Sequence, residues 1–118
     1  MTRAEVYSGV CGFTTTIDAT TDGLRCVLLT IESRCEAIQR LARELDHVDP
    51  FREITFGNGG PQTLRLAAEC QCHTACPVPA GIIKAVEVEA GLALPADATI
   101  RIVRRPDGGD VVTECGCP

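Results

Sequence analysis

The segment "ECQCHTACPVP", residues 69 to 79, carries Cys70, Cys72, His73 and Cys76 within seven positions and follows the last with two prolines. Thiolates and imidazole are soft donors suited to Zn²⁺ or an iron–sulfur cluster and poorly suited to Mg²⁺ or Ca²⁺. The chain holds eight cysteines, the others being Cys11, Cys26, Cys35, Cys115 and Cys117. In a reducing compartment so many thiols read as metal ligands or redox groups rather than as a disulfide framework. The spacing C-x-C-H-x-x-C matches neither the paired C-x-x-C of zinc ribbons nor the tight runs of ferredoxins. Local spacing therefore leaves open a metal site, a redox pair and plain core cysteines.

The elements that must position these groups follow from periodicity. "FTTTIDA" (13–19) alternates Phe13, Thr15, Ile17 and Ala19 against polar residues, the period of a half-buried strand. The Asp22-Gly23 turn then leads into a partner strand, "LRCVLLTI" (24–31), in which Cys26 shares the register of Leu24 and Leu28 and is expected in the core. Ser33 and Glu36 have capping-box spacing, and Cys35, Ile38, Leu41, Ala42 and Leu45 recur at helical intervals. A helix is expected from Arg34 to His47, with Cys35 in its first turn and His47 at its C-terminal end.

Beyond a Gly-rich connector, Pro61 opens a short helix, "QTLRLAAEC". "PVPAGIIKAVEVEAG" reads as a further helix that buries Ile82, Val86 and Ala90 and stops at Gly91. Residues 98–106, "ATIRIVRRP", predict a third strand. The fold class expected is α+β: a small antiparallel sheet, made of the hairpin and this C-terminal strand, with about three helices packed on it. One domain spans 1–118, with 107–118 as a cysteine-bearing tail.

Cys11, Cys35 and Cys76 all fall at element termini, where unpaired backbone N–H groups favour a thiolate. Cys72, His73 and Cys70 are the candidates for a fourth ligand. The net charge of −5 argues against a nucleic-acid partner or an anionic membrane surface. No apolar run approaches the ~20 residues that span a bilayer, and "MTRAEVYSGV" lacks signal-peptide character, so a cytoplasmic location is expected. "GNGG" lacks the Lys-Ser/Thr of a phosphate loop.

The run from "GVCGFTTTIDATTDG" through "SRCEAIQRLA" to "CHTACPVPAGIIKAVE" resembles the U-type (NifU-like) iron–sulfur scaffold family. "TACPV" is similar to the signature of TSCPD domains, and "CGF" with "HTACPVP" resembles a family of short uncharacterised bacterial and archaeal proteins. Together these likenesses cover about residues 8 to 90. The scaffold resemblance implies a NifU-like architecture in which Cys11, Cys35 and Cys76 hold a cluster, with iron–sulfur assembly proteins as partners. The chain departs from that pattern at Phe13, where scaffolds place an Asp, and at "RCE", where they place Gly-Cys-Gly. It also has no Leu-Pro-Pro-Val-Lys chaperone segment. Three functions follow: a module binding an iron–sulfur cluster or single metal through Cys11, Cys35, Cys76 and one of Cys72 or His73; a structural Zn²⁺ domain; and a thiol–disulfide redox protein.

Overall fold

The computed structural model describes residues 1–23, 25–57 and 59–106. Four strands, β1 (Thr2–Tyr7), β2 (Thr14–Thr21), β3 (Val27–Glu32) and β4 (His47–Val48), form one antiparallel sheet in the order β1-β2-β3-β4. Four helices, α1 (Glu36–Glu44), α2 (Pro50–Glu53), α3 (Gln62–Glu69) and α4 (Val78–Glu89), complete an α+β fold. Strand alternation explains the layering. Thr15, Ile17 and Ala19 of β2 and Val27, Leu29 and Ile31 of β3 are buried together with Ile38, Leu41, Ile82, Ala85 and Val86 of the helices. On the opposite face the Arg3 guanidinium makes two bonds, 2.7 and 2.9 Å, to its cross-strand neighbour Asp18, and that side of the sheet is polar.

Several elements differ from the sequence reading. The second strand is 27–32, and it buries Val27, Leu29 and Ile31 while Leu28 is 48% exposed. Cys26 is therefore neither inside the strand nor on its core face. The cause is a turn in which Asp22 N–H donates to the Cys26 carbonyl (3.0 Å) and Cys26 N–H donates to Asp22 Oδ1 (3.2 Å), so the ladder of the apolar run begins at Val27, opposite Thr21, and not at residue 24.

The first long helix starts at Glu36 and ends at Glu44, with Cys35 as its N-cap. Ser33 is no capping-box residue: its Oγ accepts from Cys35 N–H (3.2 Å) and from Thr15 Oγ1 (2.9 Å), which fastens the chain to β2 before the helix begins. His47 is not a helix cap either. Leu29 N–H donates to the Asp46 carbonyl (2.9 Å) and His47 pairs with Leu28, so sheet pairing ends the helix early. The expected strand at 98–106 is absent: those residues form no strand and are exposed. Its place in the sheet is taken by β1, where Thr2, Ala4 and Val6 alternate inward, and by β4. Residues 107–118, with Cys115 and Cys117, lie outside the described residues.

Two contacts fix α4 across the sheet. Gly81 lies so close to Val6 that a Cβ there would overlap Val6 Cγ2 and would stand 3.6 Å from Ile17 Cδ1. At the other end Glu89 accepts from Thr2 Oγ1 (2.8 Å) and Thr21 N–H (2.9 Å). The helix then closes as a Schellman motif, with Gly91 at φ +76° and Leu92 N–H bonded to the Glu87 carbonyl (2.8 Å). Hence α4 runs antiparallel to β1, and its N-terminus lies at the sheet end that carries the Ser8–Phe13 turn and the exit of β3 toward Cys35.

Candidate functional site

That sheet end gathers the cysteines. Cys35 caps the N-terminus of α1, with its carbonyl accepting from Gln39 N–H (2.9 Å). Cys70 caps the C-terminus of α3, and its carbonyl accepts two bonds from the Arg40 guanidinium, 3.2 Å from Nε and 3.0 Å from Nη2. Cys76 precedes α4, its N–H closing a turn onto the His73 carbonyl (3.0 Å). All four of Cys35, Cys70, Cys72 and Cys76 are half-buried and pack against the core.

Cys72 is the hub. The end of α3 is a Schellman turn in which Gln71 N–H donates to the Ala68 carbonyl (3.1 Å) and Cys72 N–H to the Ala67 carbonyl (3.0 Å). Gln71 takes φ +60°, a left-handed conformation that costs a non-glycine residue about 1 kcal/mol. This turn folds Cys72 back over α3 and toward α1, where its thiol reaches the Ala37 carbonyl at 3.9 Å. Burial pushes the Cys72 thiol above its ordinary range, and the neighbouring Cys76, Cys70 and Cys35 thiols add to the effect while Arg40 opposes it. The Cys76, Cys70 and Cys35 thiols are thus near enough to Cys72 to act on it electrostatically.

The structure brings Cys35, Cys72 and Cys76 together with Cys70. Cys11 is exposed in the turn closed by Gly12 N–H and the Gly9 carbonyl (2.8 Å), at the same sheet end but outside the packed group. His73 is exposed as well. Among the described residues, no three His, Cys, Asp or Glu side chains converge closely enough to hold a metal ion as they stand. The donor chemistry suits a soft metal; the donor set is open. Arg40 and the left-handed Gln71 carry no motif in the sequence, and only the thirty-residue separation closed by folding reveals the first.

A supporting carboxylate lies on the far side of α3. Glu53, 2% exposed, accepts from Gln62 N–H (2.8 Å), Thr63 N–H (2.9 Å) and the Thr63 hydroxyl, capping a helix whose own N-cap is Pro61. Cys26 lies elsewhere, in a shallow depression of about 380 Å³ shared with Asp22, Arg25, His47, Val48 and Asp49, and burial raises its thiol too.

Fold and site together define a small α+β protein with a thiol-lined sheet end. The chain belongs to a family of unknown function, DUF6951, whose model matches residues 2–102. That span includes Cys11, Cys26, Cys35, Cys70, Cys72 and Cys76 and stops short of Cys115 and Cys117. No curated protein and no solved structure matched the chain. Among the described residues no helix is long and apolar enough to cross a membrane.

Proposed function

We propose that this protein is a cytoplasmic metal-binding module that holds an iron–sulfur cluster or a single soft metal ion at the cysteine-lined end of its sheet, in iron–sulfur assembly or trafficking. The observation that carries the reading is that four half-buried thiols, Cys35, Cys70, Cys72 and Cys76, lie at or beside the ends of α1, α3 and α4, with Cys35, Cys70 and Cys76 near enough to Cys72 to act on it electrostatically. Cys35, Cys72 and Cys76 are the ligands nearest to hand; Cys11 and His73, both exposed at or beside this end, complete the set. The order of these elements, a turn cysteine, a hairpin, a helix-capping cysteine and a cysteine before the last helix, supports the likeness to NifU-type scaffolds. A bound metal would supply a cross-link between α1 and the 70–76 segment, from which a core built of aliphatic side chains with no aromatic residue would gain.

Anaerobic purification with iron, acid-labile sulfide and zinc quantified per chain, together with the visible spectrum, tests this reading. Iron with matching sulfide and a brown chromophore identifies a cluster scaffold. Stoichiometric zinc without colour, with unfolding on chelation, identifies a structural zinc domain. A colourless, folded, metal-free protein overturns both. The nearness of the Cys72 thiol to those of Cys76, Cys70 and Cys35, close enough to act on it electrostatically, favours thiol–disulfide exchange as the second reading, tested by reaction with a small disulfide such as oxidised glutathione.

A further inference from the structure

Residues 94–106 leave the domain as a wholly exposed segment, although Leu94, Ile100, Ile102 and Val103 lie within it. Ile100 is 77% exposed and Ile102 89%. Such β-branched alternation is what a strand buries on one face, and here nothing among the described residues covers it. The segment follows α4, whose C-terminal Glu89 is bonded to Thr2, so it emerges beside the start of β1. β1 is an edge strand: it pairs with β2 on one side and, among the described residues, with no strand on the other.

We propose that residues 98–103 of one copy of this chain add as a strand to the β1 edge of a second copy, giving a two-fold dimer. Three observations commit the edge to this occupant. The lengths agree, since β1 has six residues. The patterns agree: Ile100-Arg101-Ile102 matches Ala4-Glu5-Val6, so the isoleucines extend the inner face beside half-buried Ala4 and Val6 while Arg101 falls on the outer face that carries Glu5. The charges agree, because residues 94–106 carry Arg101, Arg104 and Arg105 against one acid, Asp97, whereas the remainder of the chain is strongly acidic. Reciprocal exchange satisfies both β1 edges at once, the closed arrangement that an isologous interface provides. The inference is independent of the metal reading.

The test is sedimentation equilibrium of the full chain as purified, with any bound metal retained, from low to high micromolar concentration, with reductant present to exclude disulfide-bridged pairs, combined with amide hydrogen exchange. The expected result is a reversible dimer with exchange slowed over residues 3–7 and 99–103. Ile100→Asp with Ile102→Asp should raise the dimer Kd at least about tenfold and leave the far-UV spectrum unchanged, since these side chains make no contact within one copy's core. A monomer at every concentration, a monomer whose 99–103 amides are already protected, or a dimer indifferent to the double substitution overturns the proposal.

Discussion

The guanidinium of Arg40, in the middle of α1, donates two hydrogen bonds to the backbone carbonyl of Cys70 at the end of α3, thirty residues away in sequence. This one clamp fixes the cysteine-bearing turn against the helix that Cys35 caps. Arg40→Met keeps the aliphatic stem and leaves the half-buried carbonyl without its charged donor. We expect a loss of about 1–3 kcal/mol in urea denaturation and faster alkylation of Cys72 as the 70–76 segment loosens. An Arg40→Met variant with wild-type stability and labelling would show that the clamp is incidental.

Glu53 does for the other end of α3 what Pro61 cannot. Replacing it by Ala strands the N–H groups of Gln62 and Thr63 in a buried setting, at a cost of roughly 1–3 kcal/mol. Glu53→Gln retains one acceptor and should fall between the two. Thermal unfolding of the three proteins provides the comparison, and equal midpoints would contradict the capping role.

Helix α4 approaches β1 through Gly81. A methyl group there meets Val6 Cγ2, so Gly81→Ala should destabilise by about 1–3 kcal/mol despite the better helix propensity of alanine. Because the clash is with one side chain, Val6→Ala in the same molecule should recover part of the loss. The sign of the coupling in a double-mutant cycle decides the matter, since a purely additive result would locate the strain elsewhere.

Acid should weaken the far end of the same helix. The Thr21 N–H, then the Thr2 hydroxyl, and then the amino terminus at 3.5 Å hold the Glu89 carboxyl below the usual glutamate range. A depressed folded-state value stabilises the fold above the unfolded-state pKa, and that stabilisation disappears as pH falls through the folded-state value. Glu89→Gln should therefore be less stable than wild type at neutral pH, with the gap closing in acid. A gap that is constant with pH would contradict the linkage.

The sequence showed the α+β class, the β2 alternation and the two proline-opened helices because each follows from local period and local backbone chemistry. It misled where an apolar run had no period, as in "LRCVLLTI", whose core face was settled by the Asp22–Cys26 turn and by pairing with β4. It misled again at 98–106, because alternation shows that a segment is able to pair but not whether an edge within the same copy receives it. β1 carried an equally clear alternation and is the segment that pairs. At the site, residue type suggested the soft-donor chemistry, and the helix signals placed Cys35 at the start of α1 and Cys76 just before α4. The grouping around Cys72 was hidden, since it depends on a glutamine in a conformation that sequence rules reserve for glycine, and on an arginine from a different helix.

The central claim, that the sheet end holding Cys35, Cys70, Cys72 and Cys76 binds a soft metal, is tested most directly by titrating the reduced, anaerobic, full-length protein with Co²⁺ and recording its absorption. The account predicts intense thiolate-to-cobalt bands that saturate stoichiometrically and are lost or sharply weakened in both Cys72→Ala and Cys76→Ala. The absence of such bands in the folded wild-type protein, or their survival unchanged in both variants, would contradict it.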